Sequence, residues 1–167
     1  MSPQAEIKRV AIAGCANLYD AEDIAQTVFM KLLDHSEEFE DEDHLKKWLI
    51  RVAVNEYRSL WKSPWKSRVD FYIPERAAAK GGRNEEQEKV LEAVMGLKQK
   101  YREVIHLFYY EDMNAKEIGE LLRISENTVL KRLQRARDKI RDNLQGAKYQ
   151  SENDMVFTAV KTLEERN

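Results

Sequence analysis

The chain has 167 residues, 43% of them hydrophobic and 35% charged, with a formal net charge of −2. This composition fits one globular domain or two small ones and excludes a chain that binds nucleic acid through its overall positive charge. The single cysteine, Cys15, excludes an internal disulfide and a multi-thiolate metal site. The sequence has no long apolar run and no signal peptide, which predicts a cytoplasmic protein without membrane insertion.

The charges are arranged in blocks along the chain. Residues 34–43 contain seven carboxylates and no Lys or Arg, whereas residues 44–68 carry seven cations against Glu56 alone. A second basic block, residues 125–142, has six cations and three carboxylates. Two basic segments in a slightly acidic chain predict two local contacts with a polyanion, although solvated helix faces would give the same pattern.

Helical periodicity dominates the first 62 residues, apart from Met1–Glu6, which are expected to be non-helical. Asp20 is the candidate N-cap of one helix, and Asp41 or Asp43 of a second helix from about Leu45 to Trp61. The first of these helices carries an apolar stripe at Ile24, Val28, Phe29, Leu32 and Leu33.

Regular patterning stops at Pro64 and Pro74. The following residues are polar, contain two adjacent glycines and lack an apolar face, which predicts a flexible linker. The predicted fold is all-α, with two small helical domains, this linker and a C-terminal tail with a possible helix. The boundaries are 1–68, 69–88, 89–146 and 147–167, in that order along the chain.

The second domain contains the pattern of a helix-turn-helix. A first helix is predicted over residues 115–122, where Gly119 allows a close helix approach. Arg123 and Ile124 form the turn, and Ser125 is a natural N-cap for the second helix. The second helix has a polar face opposite its core-facing positions, which are Val129, Leu133, Ala136 and Ile140.

Three segments narrow the class of protein further. They read DAEDIAQTVFMKLL at 20–33, HLKKWLIRVAVNEYRSLWKS at 44–63 and LKQKYREVIHLFYYEDMNAKEIGELLRISENTVLKRLQRARDKI at 97–140. In this order, with a linker between them, they resemble the extracytoplasmic-function (ECF) sigma factors of bacterial RNA polymerase. The resemblance implies a region-two-like first domain, a region-four-like second domain, and a role in promoter recognition and melting for transcription initiation.

The resemblance also assigns residues to three surfaces. The helix after Asp20 would dock on the clamp helices of the polymerase β′ subunit through Glu22, Asp23, Gln26, Thr27 and Lys31. The next helix would read the −10 element and open the duplex through Lys47, Arg51, Asn55, Arg58, Trp61 and Lys62. The helix-turn-helix would read the −35 element through Ser125, Asn127, Thr128, Lys131, Arg132 and Arg135.

Opening a duplex requires aromatic platforms among cations, because unstacked bases must be held as a single strand. Trp48 is instead assigned to the core. The loop at residues 36–44 corresponds to the base-capturing loop of the family, but it is unusually acidic in this chain.

The implied partners are core RNA polymerase, through its β′ clamp helices and β flap, promoter DNA, and an anti-sigma factor. No cofactor and no metal are implied, and the chain is predicted not to be an enzyme, since His35, His44 and His106 lack metal-ligand spacing. Two alternatives stay open. One is a stand-alone helix-turn-helix regulator, and the other is a sigma-like decoy that binds polymerase or an anti-sigma factor without initiating.

Overall fold

The computed structural model describes residues 2–62 and 85–145. Contacts divide the chain into two units, Met1–Ala77 and Ala78–Asn167. Every helix or strand in the described residues is an α-helix, which confirms the all-α prediction. No described helix has the length and apolar character that a membrane span requires. The predicted tail helix after residue 146, and residues 69–84 of the predicted linker, lie outside the described residues.

In its described residues the first unit is a bundle of three helices, α1 (Pro3–Cys15), α2 (Leu18–Leu33) and α3 (Glu42–Lys62), each in contact with the other two. Helix α1 runs parallel to α3: an ion pair joins Glu6 to Lys46 near the starts of the two helices, and a hydrogen bond joins their last turns. The side chains that form the core of this unit are Ile7, Val10, Ile24, Val28, Leu49, Ile50, Val54 and Tyr57.

The prediction that Met1–Glu6 is non-helical is wrong for its described part. Helix α1 begins at Pro3, and Ser2 caps it by accepting a hydrogen bond from the Ala5 N–H at 3.4 Å. Proline suits this position because its fixed φ is already helical and its missing N–H would have had no partner. Ile7 on this helix is 1% exposed, so α1 is part of the core of the first unit.

The start of α2 also differs from the prediction. Asn17, rather than Asp20, is the N-cap, and its Oδ1 accepts hydrogen bonds from the N–H groups of Tyr19 and Asp20 at 3.0 and 3.2 Å. Asp20 lies in the first turn, where its charge is favourable to the helix dipole. At the other end Leu33, which was placed on the apolar stripe, is 80% exposed.

Helix α3 begins at Glu42, three residues before the predicted start. Asp41, one of the two predicted caps, accepts a hydrogen bond from the His44 N–H at 2.7 Å through Oδ1. Glu42 and Asp43 lie in the first turn, where carboxylates stabilise the positive end of the helix. The acidic block therefore supplies both the cap and the first turn of the basic helix.

The second unit contains α4 (Glu85–Met95), α5 (Gln99–Tyr109), α6 (Ala115–Leu122) and α7 (Glu126–Gln145). Helix α7 contacts each of the other three. Helix α4 starts inside the range predicted as linker, so residues 85–88 are helical. An ion pair of 2.8 Å between Glu85 and Lys89 spans its first turn, and the hydrogen bond and charge of Lys89 lower the pKa of the Glu85 carboxyl.

Buried polar groups hold the beginning of α5 to the end of α4. The Arg102 guanidinium is 4% exposed and donates to the carbonyls of Leu97 and Met95 at 2.8 and 3.3 Å. Near the end of α5, His106 Nε2 lies 3.1 Å from Glu111 Oε1. Because buried polar groups are costly without partners, these contacts fix the position of α5 against its neighbouring segments.

Candidate nucleic-acid interface

The helix-turn-helix consists of α6 and α7, and the predicted range of its first helix is confirmed. A reciprocal capping box starts α6: Asn114 Oδ1 accepts from the Glu117 N–H, and Glu117 Oε2 accepts from the Asn114 N–H, both at 2.9 Å. Arg123 ends α6 with a φ of 57°, and Ser125 Oγ caps α7 by accepting from the Thr128 N–H at 3.1 Å. The predicted turn and cap are therefore confirmed.

The close approach predicted at Gly119 is also confirmed. A Cβ atom at this position would lie 2.8 Å from the Ile124 carbonyl oxygen, which belongs to the backbone and cannot turn away. Only glycine therefore fits here without displacing the turn. The tight turn fixes the direction in which α7 leaves α6.

Helix α7 has two distinct faces. The four predicted core positions, from Val129 to Ile140, are all buried. On the opposite face the exposed side chains of Asn127, Lys131 and Arg135 come together, within about 80° of one another at 100° per residue. Three predicted −35 residues thus share one solvent-facing surface, with hydrogen-bonding groups of the kind that contact base edges.

The other three predicted −35 residues have structural contacts. Ser125 is the N-cap, and Thr128, half-buried, shares a hydrogen bond of 2.7 Å with its hydroxyl. Arg132 lies 3.8 Å from the carboxylate of Glu103, which is 2% exposed. Because a buried carboxylate needs a charged or hydrogen-bonding partner, Arg132 has a structural role in joining α7 to α5.

The second basic surface follows one side of α3. Lys47, Arg51, Asn55, Arg58 and Lys62 are spaced so that they fall within about 80° of one another around the helix. All are exposed except Arg58, which is half-buried. Lys47 also forms an i,i+4 ion pair of 3.0 Å with Asp43. Five of the six residues predicted for the −10 surface therefore form one stripe.

The sixth residue, Trp61, lies outside this stripe, on the side of α3 that includes Val54 and Tyr57. It is 36% exposed, and its indole Nε1 donates to the Gly14 carbonyl at 3.1 Å. Gly14 is needed here because an added Cβ would meet the Tyr57 ring at 2.2 Å. The indole is thus fixed at the junction of α1 and α3 with part of its surface exposed.

The acidic segment is anchored by aromatic side chains. Phe39 packs against His35 and Trp48, with ring centroids 4.8 and 5.6 Å apart, and against His44 at 5.4 Å. Trp48 is half-buried beneath this cluster, so its assignment to the core is only partly right. A single aromatic residue within a run of carboxylates was the available sequence signal, and it was missed. The aromatic contacts hold the loop to the start of α3.

The predicted docking residues on α2 divide into two groups. Glu22, Asp23 and Gln26 are exposed on one face, and Glu22 forms an ion pair of 2.8 Å with Lys8 of α1. Lys31 instead pairs with Glu56 of α3, and the Thr27 hydroxyl donates to the Asp23 carbonyl of its own helix at 2.9 Å. The exposed face thus contains the first three predicted residues.

The same face of α2 carries apolar side chains that sequence reasoning did not assign to it. Tyr19, Met30 and Leu33 are 63%, 61% and 80% exposed. At 100° per residue they lie within about 60° of one another and alongside Asp23 and Gln26. Large exposed apolar side chains grouped with polar ones are typical of protein-binding surfaces. The periodicity had placed Leu33 on the buried stripe, which concealed this surface.

In residues 2–62 and 85–145, no group of His, Cys, Asp and Glu side chains is placed so that it could hold a metal ion.

Comparisons with known proteins match both units. Residues 4–67 match the sigma-70 region 2 family, and residues 87–140 match the sigma-70 region 4 family. The fold resembles the sigma factor RpoE of Bartonella quintana, in a structure determined with the anti-sigma factor NepR, at a TM-score of 0.66 and 21% identity over 86% of this chain and 92% of that one. The two units thus define a sigma factor of the sigma-70 class.

Curated relatives identify the subgroup. The chain is 28% identical over 147 residues to the ECF RNA polymerase sigma factor SigW of Bacillus subtilis, covering 77% of each. It is 30% identical over 129 residues to the sigma factor SigV of the same organism, covering 77% of this chain and 78% of SigV. The chain belongs to the ECF sigma factors, which are transcription initiation factors, and the resemblance found in the sequence is confirmed.

Proposed function

We propose that the exposed face of α2 is the surface by which this sigma factor docks on the clamp helices of the β′ subunit. The support is the grouping of Asp23 and Gln26 with three exposed apolar side chains, Tyr19, Met30 and Leu33. Burial of such side chains contributes binding free energy, and the polar groups between them give specificity. Lys31 supports this face indirectly, because its ion pair with Glu56 holds α2 against α3.

The basic stripe of α3 is proposed to contact the −10 element and the strand that is displaced when the duplex opens. Lys47, Arg51 and Lys62 are spread over four turns of helix, a spacing that follows a sugar-phosphate backbone rather than a single phosphate. Trp61, partly exposed at the end of the stripe, provides an aromatic surface on which an unstacked base can lie.

The exposed face of α7 is proposed to read the −35 element in the major groove. Asn127 and Lys131 lie in the first two turns of α7, which is the part of a recognition helix that approaches base edges. Asn127 suits adenine, and Lys131 and Arg135 suit the acceptors of guanine. Ser125, Thr128 and Arg132 act by holding the helix in place.

Further partners are proposed on the same basis. Binding to the β flap of the polymerase is assigned to the second unit. Its large apolar side chains Tyr110 and Leu130 are 52% and 49% exposed. An anti-sigma factor is assigned as a regulator because the RpoE structure with the same fold contains one. Because its polymerase acts in the cytoplasm, the protein is expected there. It contributes recognition rather than a chemical step.

The observation that carries this proposal is the presence of two basic faces on separate helical units, with an exposed apolar-polar face on the first. The test is a run-off transcription assay with the full chain, core RNA polymerase and fragmented genomic DNA, alongside a direct measurement of core binding. We expect tight core binding, weak DNA binding by the chain alone, and transcripts that start at defined promoters.

Other outcomes would decide against the proposal. Tight binding to a palindromic site without polymerase would indicate a stand-alone regulator. Core binding without transcripts from any template would indicate a decoy. Absence of core binding would remove the assignment of the α2 face altogether.

A further inference from the structure

The aromatic contact that anchors the acidic segment contains two histidines. The Phe39 ring is stacked on His35, with ring centroids 4.8 Å apart and an interplanar angle of 18°, and it lies nearly perpendicular to the His44 ring at 5.4 Å. His35 also contacts Trp48 of α3, at 4.8 Å. All four side chains are half-buried, so each imidazole keeps part of its surface in contact with solvent. We call His35, Phe39, His44 and Trp48 the Phe39 cluster.

His44 takes part in this anchor in one protonation state only. Its Nδ1 accepts a hydrogen bond from the Glu40 N–H at 3.3 Å, which requires that Nδ1 carry no proton. The neutral ring then has its proton on Nε2, and the proton that charges the ring is added to Nδ1. Protonation thus turns the acceptor into a donor that faces another donor. The hydrogen bond to Glu40 and a charged His44 ring are therefore mutually exclusive.

His35 is not constrained in this way. Its ring contacts the cluster through the aromatic rings of Phe39 and Trp48. A cation that lies over an aromatic face is attracted to it, so a charged His35 can keep its place on Phe39. Of the two histidines, His44 is therefore the one whose protonation opens the cluster.

The charges around His44 provide another partner for the protonated ring. Lys47 of the same helix pairs with Asp43 at 3.0 Å. Lys46 pairs with Glu6 of α1, also at 3.0 Å, and Arg51 lies two turns further along α3, roughly 10 Å away. The other charged side chains from the end of α2 to the first turn of α3 are carboxylates, namely Asp34, Glu37, Glu38, Glu40, Asp41 and Glu42. Since Asp and Glu ordinarily keep their charge down to about pH 5, a charged imidazole can exchange the backbone N–H for a carboxylate.

We propose that the Phe39 cluster is a pH-sensitive switch, in which a proton on His44 Nδ1 releases the acidic segment at residues 36–41 from α3. Histidine ordinarily changes its charge between about pH 5 and 8. On the neutral side of the transition the segment is anchored, and on the acid side it separates from Trp48. The consequence for transcription rests on the proposed function, because this segment lies at the beginning of the α3 stripe that is proposed to contact the −10 element. Its release lowers the formation of open promoters.

The first measurement follows the isotope-labelled full chain, without polymerase, by nuclear magnetic resonance from about pH 8 to about pH 5. We expect the resonances of the Glu40 amide, the Phe39 ring and the His44 imidazole to shift together, with one midpoint. One pH unit below that midpoint the anchored fraction should have fallen about tenfold, because the transition takes up a single proton.

Two variants separate the histidines. His44→Asn places an amide oxygen close to the position of Nδ1, where it can accept from the Glu40 N–H without taking up a proton. We expect the segment to stay anchored in this variant over the whole pH range. His35→Phe is the matched control, since it keeps a ring stacked on Phe39 and removes the other imidazole of the cluster. The transition should persist in it.

The second measurement compares open-promoter formation by two holoenzymes, one with the unaltered chain and one with His44→Asn. One pH unit below the midpoint of the free chain, the unaltered chain should form about tenfold fewer open promoters than the variant. One unit above the midpoint the two should be nearly equal. Effects of pH on the polymerase itself cancel, because both holoenzymes contain the same core enzyme.

Three results would overturn the proposal. The first is a Glu40 amide that does not shift together with the His44 imidazole. The second is a transition that persists in His44→Asn or is lost in His35→Phe, which would mean that His44 is not the trigger. The third is equal open-promoter formation by the two holoenzymes at both pH values. Because the resonances are measured on the chain alone, a failure to bind core polymerase would count against the proposed function and leave the first measurement intact.

Discussion

At the scale of single residues, Gly14 determines how closely α1 packs against α3. Its missing side chain leaves room for the Tyr57 ring, and its carbonyl accepts the hydrogen bond from Trp61. One residue thus allows an aromatic side chain to fill the core and fixes another at the surface. Overfilling such a position is destabilising because neither the backbone nor a buried ring can move freely.

Gly14→Ala should therefore lower the free energy of unfolding of the first unit by about 1–3 kcal/mol. All three tryptophans, at positions 48, 61 and 65, belong to that unit, so tryptophan fluorescence during urea denaturation reports on it alone. Ser59→Ala is the control, because it is a change at an exposed position of α3 in the same unit. An unchanged denaturation midpoint for Gly14→Ala would contradict the close packing described.

The Tyr101 hydroxyl gives a pH-dependent prediction. Its pKa is lowered in the folded state from the ordinary value of 10.0, so the phenolate is favoured by folding. The stabilisation is absent at neutral pH, appears as the pH rises through the folded pKa, and is complete above the unfolded value. An absorbance titration should show one of the seven tyrosines ionising early.

That early step should disappear in Tyr101→Phe and move to higher pH in Lys139→Ala, which removes one of the neighbouring charges. Persistence of the step in Tyr101→Phe would assign it to another tyrosine.

At the scale of elements, helix starts were the hardest features to predict. The stripe of α7 was read correctly because four apolar positions repeat at helical spacing over four turns and all four are buried. The N-cap of α2 was harder to predict, because Asn17 and Asp20 are both good capping residues and lie three positions apart. Helix α1 was missed at its start although Ser2 followed by Pro3 is a typical beginning.

In the candidate sites too, features that depend on spacing along one helix were predicted, and features that depend on other helices were not. Spacing alone groups Lys47, Arg51 and Lys62 on one face of α3, and the structure agrees. Contacts between helices were beyond reach: the pairing of Arg132 with Glu103 joins positions 29 residues apart, and nothing local to either residue indicates the other. Exposure of Leu33 depends on where α2 ends relative to its neighbours, which periodicity does not contain.

The capping box of α6 should raise the free energy of unfolding of the second unit by about 1 kcal/mol for each of its two hydrogen bonds. Asn114→Ala is expected to shift the unfolding of the second unit, followed by far-ultraviolet circular dichroism, without moving the tryptophan transition. Asn114→Asp should retain most of the stability because a carboxylate accepts the same hydrogen bond. Glu120→Ala, an exposed position on the same helix, serves as control. Equal stability of Asn114→Ala and Glu120→Ala would count against the cap.

The exposed face of α7 supports a prediction about recognition. Lys131→Ala should weaken initiation from promoters with an intact −35 element by about 1–3 kcal/mol, while the affinity for core polymerase stays the same. The measurement compares run-off transcription with core binding for the same preparation. Arg141→Ala, which removes another exposed cation from α7, controls for the change in charge. If Lys131→Ala lowered core binding as much as initiation, α7 would be misassigned.

At the scale of the whole molecule, the proposed functions are divided among separate faces. The α2 face is largely apolar and acidic, whereas the α3 stripe and the exposed face of α7 are basic. Association through the first should therefore depend little on salt, and association through the other two should weaken steeply as salt rises. A net charge near zero arises from this segregation rather than from an even mixture.

Met30→Glu, which places a charge on the α2 face, should weaken core binding at least tenfold because it removes apolar contact and adds a charge to the interface. Binding of the isolated full chain to DNA should be unchanged. Gln4→Glu, a change at an exposed position of α1 that also adds one negative charge, controls for altered net charge. Wild-type core affinity in Met30→Glu would exclude this face as the docking surface.

The fixed indole at the end of α3 has a mechanical consequence. Trp61 is hydrogen-bonded to the Gly14 carbonyl, and Lys46, in the second turn of α3, is paired with Glu6. The longest described helix is therefore fastened to the same neighbour, α1, near both of its ends. In the proposed contact with the −10 element, such a rod would meet promoter DNA without bending to follow it. The distortion on that contact would then fall on the base pairs, whose separation is the outcome that initiation requires.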